Sequence, residues 1–326
     1  MKVSIIIPVY NVEPYVERCL QSVMSQTYKD SLECLIVDDC GTDRSVDVVE
    51  RIVEAYHGSI RFKIIHHERN RGLSAARNTG MAAATGDYLF FLDSDDEISV
   101  DCIEKLTSPL KEEQFDLVVG NIRTIGDEKV KLAVNLKLSD GLVLYGEQVL
   151  ETYRKGWNMI APNKLYRTAF IREHGLQFKE GLIHEDELWS FQVACLAQSL
   201  RAVNQLTYIY YIRDNSITTS MNAKKKQHEA LKIIVEEMRN FLQERNIFSA
   251  RAYRLVQYFS WCILKSTLNN RSQFIQEYCQ LRQVTHFPLI YRIKAVGPHF
   301  RPQIRNLYYM MPSKIAAKII YWRKHR

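Results

Sequence analysis

Four runs of apolar residues, most of them β-branched or aromatic, divide the first hundred residues, and polar or turn-forming residues follow each run. The runs occupy residues 2–11, Leu32–Val37, Phe62–His66 and Tyr88–Leu92. The first is stopped by Pro8, which predicts a central strand followed by a turn. Because the runs are almost continuously apolar, they predict parallel strands that are covered on both faces.

The segments between these runs have helical patterns. From Val12 to Gln26 the apolar positions fall on one helix face, and residues 45–56 and the small-residue segment 74–85 continue the alternation. Strands that alternate with helices predict an α/β fold with a mainly parallel sheet and helices on both faces. In such a sheet the carboxyl ends of the strands meet at one edge, where open α/β sheets bind ligands. This edge would carry Pro8, Asp38, Asp39, Asn70, Arg71, Asp93 and Asp95.

Asp93-Ser94-Asp95-Asp96 directly follows the fourth apolar run. Three acids in four residues repel one another and resist desolvation, so they favour a cation that neutralises them. Mn²⁺ or Mg²⁺ is the expected ion, because hard divalent cations prefer oxygen ligands. The alternative is a solvated turn whose Asp and Ser side chains cap the next helix.

Four motifs occur in a fixed order within the first hundred residues. They are Ser4-Ile5-Ile6-Ile7-Pro8-Val9-Tyr10-Asn11, Val37-Asp38-Asp39 with Gly41-Thr42-Asp43, Asn70-Arg71-Gly72-Leu73-Ser74-Ala75-Ala76-Arg77-Asn78, and Asp93-Ser94-Asp95-Asp96. Together they resemble a family 2 glycosyltransferase of the GT-A fold, and the resemblance extends to about Thr219. In one departure, Cys40-Gly41 stands where the family has Gly-Ser. We expect this turn to survive with its glycine moved by one place.

Asp39 is the candidate for binding the base of a nucleotide donor. A carboxylate at a strand end accepts an N–H from the edge of a nucleobase, and uracil suits such an acceptor. In the resembled family the matching aspartate contacts the base. Tyr10 and the backbone around Pro8 would form a wall against which the base lies. The alternatives are that Pro8 only ends its strand and that Asp39 caps a helix.

Arg77 is the candidate for binding the donor diphosphate, because a guanidinium pairs bidentately with phosphate oxygens. The small residues of its helix would bring it close to the ligand edge. The alternative is an ion pair with a carboxylate of residues 38–43. Carboxylate and phosphate require the same geometry, and the resemblance favours the diphosphate.

The resemblance also implies roles in the acidic motif and in a later loop. Asp95 is expected to hold the cation, which would bridge to the donor diphosphate. Asp93 lies one step nearer the strand and is expected to contact the ribose or to assist the ion. In similar sequences the segment that contains Arg213 and Ser216 folds over the diphosphate, so these two residues are predicted lid contacts.

Transfer of a sugar to an alcohol requires a base that removes a proton from a hydroxyl of very high pKa. The family places this base on the aspartate of a Glu-Asp pair, which corresponds here to Asp186. Glu185 is expected to hold Asp186 or an acceptor hydroxyl. Trp189 is expected to stack on a sugar face and Lys164 to contribute to the acceptor side, or both to support the residues that contact the acceptor. The alternative is that the acids only complement the dipole of a helix N-terminus.

The 326 residues are enough for two domains, or for one large α/β domain with an appendage. Because Lys224–Gln283 has a helical pattern, we predict a GT-A domain over residues 1–220 and a helical, basic region over residues 221–326. The seven cysteines lack paired spacing, and Met1-Lys2 leads directly into a strand, which fits reduced thiols in a cytoplasm. No apolar run is long enough to predict a membrane span.

The last part of the chain is basic and apolar. From Tyr278 to Arg326 there is no Asp or Glu, while Lys and Arg alternate with aromatic and aliphatic residues at helical spacing. This composition predicts an anchor on anionic lipid, and hence a peripheral location on the inner face of the plasma membrane. A nucleic-acid arm needs fewer aliphatic residues, so nucleic acid is not an expected partner. The alternative is a basic helix packed on the catalytic domain.

These features predict a metal-dependent glycosyltransferase, and the resemblance implies that it inverts the anomeric configuration. It would move a sugar from a nucleotide-sugar donor, expected to be a UDP-sugar, to a glycan or glycolipid acceptor in the synthesis of a cell-surface polysaccharide. A sugar nucleotidyltransferase would typically carry a Gly-rich, basic loop after its first strand, where this chain has Pro8-Val9-Tyr10-Asn11. A non-catalytic nucleotide-sugar-binding protein is the other alternative, and the retained acids at residues 93, 95 and 186 argue against it.

Overall fold

The computed structural model describes residues 1–126, 135–212, 223–296, 308 and 311–324. The chain divides into two compact units, Met1–Thr219 and Ser220–Arg326. The predicted functions of these two parts remain predictions.

The first unit is built on a mixed sheet. Its strands are β1 (Val3–Val9), β2 (Leu32–Asp38), β3 (Arg61–His66), β4 (Tyr88–Phe91), β5 (Glu97–Ile98), β6 (Leu117–Ile125), β7 (Val143–Tyr145), β8 (Lys164–Arg167) and β9 (Ser199–Tyr211). They lie in the order β3-β2-β1-β4-β8-β6-β9-β5, with β7 paired to β9. In the described residues β5, β7 and β8 run opposite to the other six strands. The mainly parallel α/β sheet is therefore confirmed.

Seven helices of the described first unit connect these strands. They are α1 (Val16–Met24), α2 (Ser45–Glu54), α3 (Leu73–Ala83), α4 (Cys102–Thr107), α5 (Glu147–Thr152), α6 (Thr168–Glu173) and α7 (Glu185–Leu196). The predicted helix at Val12 begins only at Val16. Before that point the N–H of Val12 donates to Ser45 Oγ and that of Glu13 to Asp43 Oδ2, so these groups are bound to the β2–α2 loop.

Both faces of the parallel part of the sheet are covered. Ile5 and Ile7 of β1 belong to a buried cluster that includes Leu20 of α1. On the other face α3 approaches β1 so closely that a Cβ built on Gly80 would lie 2.4 Å from Ile6 Cγ2. The small residues of α3 therefore allow the close packing that places the next part of the helix at the sheet edge.

Pro8 does not end its strand, in contrast to the prediction. It lies within β1, paired with Val37 of β2. Its missing N–H is tolerated because the pairing of β1 with β4 extends only to Ile6 and Phe91. The strand therefore continues to Val9, beside the acidic residues that end β2.

The second unit is helical, as predicted, but residues 224–283 do not form one helix. Its described helices are α8 (Ala223–Glu244), α9 (Ala250–Ser266), α10 (Arg271–Val284), α11 (Leu289–Val296) and α12 (Ser313–Lys324). Asn246 has a left-handed φ of 52°, and Ser249 caps α9 by accepting N–H groups from residues 251 and 252. Asn270 caps α10 in the same way. Within the described helices, none is both long enough and apolar enough to cross a membrane.

Candidate active site

The acidic loop after β4 exposes two carboxylates and buries a third. Asp93 and Asp95 are half-buried, whereas Asp96 is 1% exposed. The hydroxyl of Tyr208 donates to Asp96 Oδ2 at 2.7 Å, and the N–H of Tyr211 donates to Asp96 Oδ1 at 2.9 Å. Burial, reinforced by Asp95 and Asp93, raises the pKa of Asp96 well above its usual value. Asp96 therefore fixes the loop to β9 while its two neighbours remain accessible.

Asp93 and Asp95 fit a hard divalent cation. Such ions are commonly bound by one or two carboxylates together with substrate phosphates and water. Within the described ranges no group of three His, Cys, Asp or Glu side chains could hold a metal alone. A cation at Asp95 and Asp93 would therefore take its remaining ligands from a diphosphate and from water.

Arg77 lies at the centre of the site. Its guanidinium donates from Nη2 to Asp93 Oδ1, and from Nη1 to Glu185 Oε1 and Asp186 Oδ1, each at 2.8 Å. It also lies 5.1 Å from the ring centroid of Phe178. Burial opposes its charge, but the carboxylates of Asp186, Asp93 and Glu185 raise the pKa of Arg77 above its usual value. The guanidinium thus joins the end of β4 to the start of α7.

In this structure Arg77 forms ion pairs, as in the alternative to the diphosphate contact. Arg77 is 1% exposed, and both of its terminal nitrogens are bound to carboxylates. The partners are not the acids at residues 38–43, and the contact with a donor diphosphate stays a prediction. Carboxylate and phosphate require the same fork geometry, so the residue type alone did not separate the two roles.

Asp186 and Glu185 occupy different environments at the start of α7. Glu185 is 8% exposed, and burial together with Asp186 raises its pKa to about 7. The side chain of Asp186 keeps 22% of its surface exposed. Burial raises the pKa of Asp186, while Arg77 and the N–H of Ala161 lower it. Asp186 is thus the more accessible carboxylate of the pair.

Trp189 does not present a face to a sugar, and its position agrees with the alternative of a supporting residue. It is 1% exposed, and its ring stacks on Phe178 with centroids 4.2 Å apart and an interplanar angle of 14°. Phe91 and Tyr166 contact it edge to face. This aromatic cluster instead packs beneath α7 and supports the helix that carries Asp186.

Lys164 is not exposed on the acceptor side either. It is 1% exposed on β8, and its Nζ donates to Asn158 Oδ1 at 2.9 Å and to the carbonyl oxygens of Ile160 and Pro162. Burial lowers the pKa of Lys164 to about 7, and Asp186 opposes this shift. The burial of its amine therefore agrees with the supporting alternative and not with direct contact to an acceptor.

Asp39 is buried, and its carboxylate binds the loop between β3 and α3. Oδ1 accepts the N–H of Arg71 at 2.9 Å and lies 2.6 Å from Nδ1 of His67, while Oδ2 accepts the N–H of Gly72 at 2.7 Å. Because a carboxylate only accepts, Nδ1 of His67 carries a proton. Asp39 does not cap α2, whose first N–H groups include that of Ser45, bound to Asp43 Oδ1. Its contact with a base remains a prediction.

The other predicted donor contacts differ in their exposure. Pro8 is buried within β1, and Tyr10 is 46% exposed. The left-handed residue of the next turn is Cys40, with φ of 57°, so the glycine at residue 41 did not take over that role. A Cβ on Gly41 would lie 3.0 Å from Asn11 Oδ1, so the glycine allows a close approach of the two segments. Arg213 and Ser216 lie outside the described residues.

Comparison with known proteins identifies relatives of this chain. The model of the family "Glycosyl transferase family 2" matches residues 4–175, which is more than half of the chain. The putative glycosyltransferase EpsH of Bacillus subtilis is 36% identical over 252 residues, covering 75% of this chain and 70% of EpsH. Among eight curated relatives, the matched segment covers between 31% and 72% of the relative's own length.

Solved structures share the fold. TarS of Staphylococcus aureus, residues 1–349 with UDP, superposes with a TM-score of 0.73 at 20% identity, covering 100% of this chain and 92% of TarS. The curated name of TarS is poly(ribitol-phosphate) beta-N-acetylglucosaminyltransferase. A mannosyltransferase of Pyrobaculum calidifontis with GDP-Man and Mn²⁺ superposes with a TM-score of 0.56 at 15% identity. The superposition covers 99% of this chain and 88% of the mannosyltransferase. These likenesses confirm the GT-A fold.

Replacement of Arg77 by Met should destabilise the protein by about 3–5 kcal/mol, because three carboxylates then face one another without their buried counter-charge. Arg51→Met is the matched control, since Arg51 pairs with Glu17 at 3.4 Å and both side chains are more than half exposed. The control should lose about 0–1 kcal/mol. Urea unfolding of both variants measures the difference, and equal losses would contradict the central role of Arg77.

Proposed function

Because this chain belongs to glycosyltransferase family 2, we propose that it transfers a sugar from a nucleotide-sugar donor to a hydroxyl of a glycan or glycolipid acceptor. The observation that carries the proposal is the shared guanidinium of Arg77. It holds Asp93 of the acidic loop and Asp186 of α7 at the same sheet edge. Asp93, a proposed cation ligand, and Asp186, the proposed base, thus bond to the same buried guanidinium.

In the proposed reaction Asp186 is the general base. Its half-buried carboxylate accepts the proton of the acceptor hydroxyl, and the hydroxyl oxygen forms a bond to the anomeric carbon. The bond between that carbon and the diphosphate oxygen breaks, and its electron pair leaves with the nucleoside diphosphate. A single displacement of this kind inverts the anomeric configuration. Glu185 holds Arg77 from the buried side and so helps to keep Asp186 in place.

Asp95 and Asp93 would hold Mn²⁺ or Mg²⁺. Asp95 is the principal ligand in this proposal, because Oδ1 of Asp93 is already bound to Arg77. Such an ion, when bound, stabilises the negative charge that develops on the departing diphosphate. Asp96 supports both residues by fixing the loop to Tyr208 and Tyr211.

A UDP-sugar is the proposed donor. The carboxylate of Asp39 suits an N–H of uracil, and its Oδ2 accepts a single N–H, that of Gly72, among the described hydrogen bonds. Tyr10 is exposed beside this position and would cover the base. UDP in the TarS structure supports the choice, whereas GDP-Man in the mannosyltransferase shows that the fold also accepts guanine. The proposed product is a cell-surface polysaccharide or glycolipid.

Two other functions fit the observations less well. A sugar nucleotidyltransferase would need a basic, Gly-rich phosphate loop after β1, where the chain has Pro8-Val9-Tyr10-Asn11. A binding protein without catalysis would not require a half-buried carboxylate at Asp186. Release of UDP from a UDP-sugar separates both alternatives from the proposed transferase.

Calorimetry should show that UDP binds more tightly than GDP or CDP, and that Mn²⁺ strengthens the binding. Asp95→Asn should remove the effect of Mn²⁺, because the ion would bridge this carboxylate and the diphosphate. Asp47→Asn is the control, since Asp47 is an exposed acid on α2 that pairs with Arg44. Equal affinity for the three nucleotides would exclude the uridine assignment, and an undiminished Mn²⁺ effect in Asp95→Asn would exclude the metal site.

Asp186→Asn should lower turnover about 10²–10⁴-fold, because the amide keeps the shape of the side chain but cannot accept the proton. The measurement is UDP release from UDP-GlcNAc and from UDP-glucose with Mn²⁺, where water takes the place of the acceptor. UDP affinity and melting temperature, measured on the same samples, separate a loss of chemistry from a loss of folding. Turnover within a few-fold of the wild type would remove Asp186 as the base.

An anionic membrane surface is the proposed site of action. Leu289, Ile290 and Ile293 are 44%, 53% and 47% exposed, and their spacing places them on one face of α11. On α12, Ala316 and Ala317 are buried, while Ile315 and Trp322 are more than half exposed. No acid occurs after Glu277. Exposed apolar residues within a purely basic segment complement anionic lipid, which supports peripheral attachment at the inner face of the plasma membrane.

The protein should sediment with phosphatidylglycerol vesicles and not with phosphatidylcholine vesicles, and high salt should release it. A triple variant with Leu289→Ser, Ile290→Ser and Ile293→Ser should bind the vesicles at least about tenfold more weakly, because the apolar contact is lost. The control is a double variant with Ile233→Ser and Tyr258→Ser, since these residues are similarly exposed on α8 and α9. Binding that ignores lipid charge and salt, or equal losses in both variants, would contradict the proposal.

A further inference from the structure

The turn at residues 158–162 leads into β8, and all of its central carbonyl groups are bound by side chains. Asn158, Ala161 and Asn163 are buried. The hydroxyl of Ser190, on α7, donates to the carbonyl of Met159 at 2.5 Å. The hydroxyl of Tyr166 donates to the carbonyl of Ala161 at 2.9 Å. The turn is therefore held from both α7 and β8.

Lys164 supplies the remaining bonds of this turn. A lysine ammonium has three N–H donors and no acceptor. Its three partners here are Asn158 Oδ1, the carbonyl of Ile160 and, at 3.4 Å, the carbonyl of Pro162. These groups lie before and after Ala161, so one side chain fixes the backbone on both sides of that residue.

Ala161 connects the turn to the proposed base. The hydroxyl of Ser190 ties the turn to α7, the helix that begins with Glu185 and Asp186, and the backbone of Ala161 lowers the pKa of the Asp186 carboxyl. Asp186 is therefore held by Arg77 through Oδ1, and its helix is held by the turn. The position of Ala161, and hence the direction of its N–H, depends on the bonds that Lys164 makes.

The charge of Lys164 also acts on Asp186, one of the carboxylates around Arg77. Asp93, Glu185 and Asp186 all contact Arg77, which carries one positive charge. Lys164 is a second buried cation, and its attraction to Asp186 favours the charged form of both groups. Burial of an ammonium is costly, and its hydrogen bonds to the turn offset part of that cost.

We propose that Lys164 is a positioning residue for the base Asp186, which it orients through the turn at residues 158–162 and not by contact with either substrate. The inference rests on the proposed function of Asp186. It predicts that Lys164 affects turnover while leaving donor binding almost unchanged, because its amine is buried away from the exposed part of the site.

Lys164→Met keeps the length and apolar stem of the side chain and removes the donors. UDP release from UDP-GlcNAc and UDP-glucose with Mn²⁺ should fall about 10²-fold in kcat, since a small misplacement of a reacting group has an effect of this size. KM for the donor and the affinity for UDP should change less than about threefold. In an Asp186→Asn background the same substitution should lower kcat by less than about twofold, because the group that it positions is already absent.

Arg167→Met is the matched control, since Arg167 is also on β8 and pairs with Asp116, away from Asp186. It should lower the melting temperature and leave kcat near the wild-type value. Near-normal kcat in Lys164→Met, or losses that multiply in the double variant, would overturn the inference. Absence of UDP release by the wild type would instead contradict the proposed function. In that case the melting temperatures of the wild type, Lys164→Met, Asp186→Asn and the double variant test the link between the two residues. If the changes in melting temperature are additive, Lys164 and Asp186 are not coupled and the inference is refuted.

Discussion

The structure of the site depends on one buried charge, the guanidinium of Arg77. It bonds to Asp93, which follows β4, and to Glu185 and Asp186, which lie about a hundred residues further along the chain. Burial of an arginine without partners would be strongly unfavourable, so the fold must bring these carboxylates together. The close packing of α3 on β1 at Gly80 brings Arg77 to this position. A requirement for charge balance thus becomes a geometric constraint between the acidic loop and α7.

The same constraint separates the roles of neighbouring acids. Asp96 is bound to Tyr208 and Tyr211 and anchors the loop, whereas Asp95 remains accessible. Glu185 is nearly buried, whereas Asp186 keeps part of its side chain exposed. Pairs of acids that are adjacent in the sequence therefore differ in solvation and in their hydrogen-bond partners, which is how one site can provide both structural and reactive carboxylates.

The architecture can be predicted from the sequence more completely than the side-chain contacts can. The apolar runs and their spacing were sufficient for the parallel strands and for the covering helices, because these follow from burial alone. The roles of Arg77, Trp189 and Lys164 depended on which partner each side chain meets, and those partners lie far away in the chain. An arginine that suits phosphate equally suits carboxylate. The sequence alone does not distinguish Asp96 from Asp93 and Asp95, because its burial depends on the position of β9.

Cys40 shows a similar limit at the level of a single turn. A glycine next to the expected position suggested a displaced turn, yet the left-handed conformation stays at residue 40. Gly41 instead approaches Asn11 closely, which its lack of a side chain allows. Local sequence identifies residues able to adopt unusual backbone angles, but packing decides which of them does so.

The charges of the site are coupled through Arg77. Asp93, Glu185 and Asp186 all bond to this one guanidinium. A cation at the proposed site on the acidic loop would add positive charge beside one of these three carboxylates. Because Asp93 already shares Arg77 with Asp186, a cation at the acidic loop and the base at α7 would be coupled through one guanidinium. Changes in charge on one side of the site would therefore be felt on the other, without any movement of the backbone.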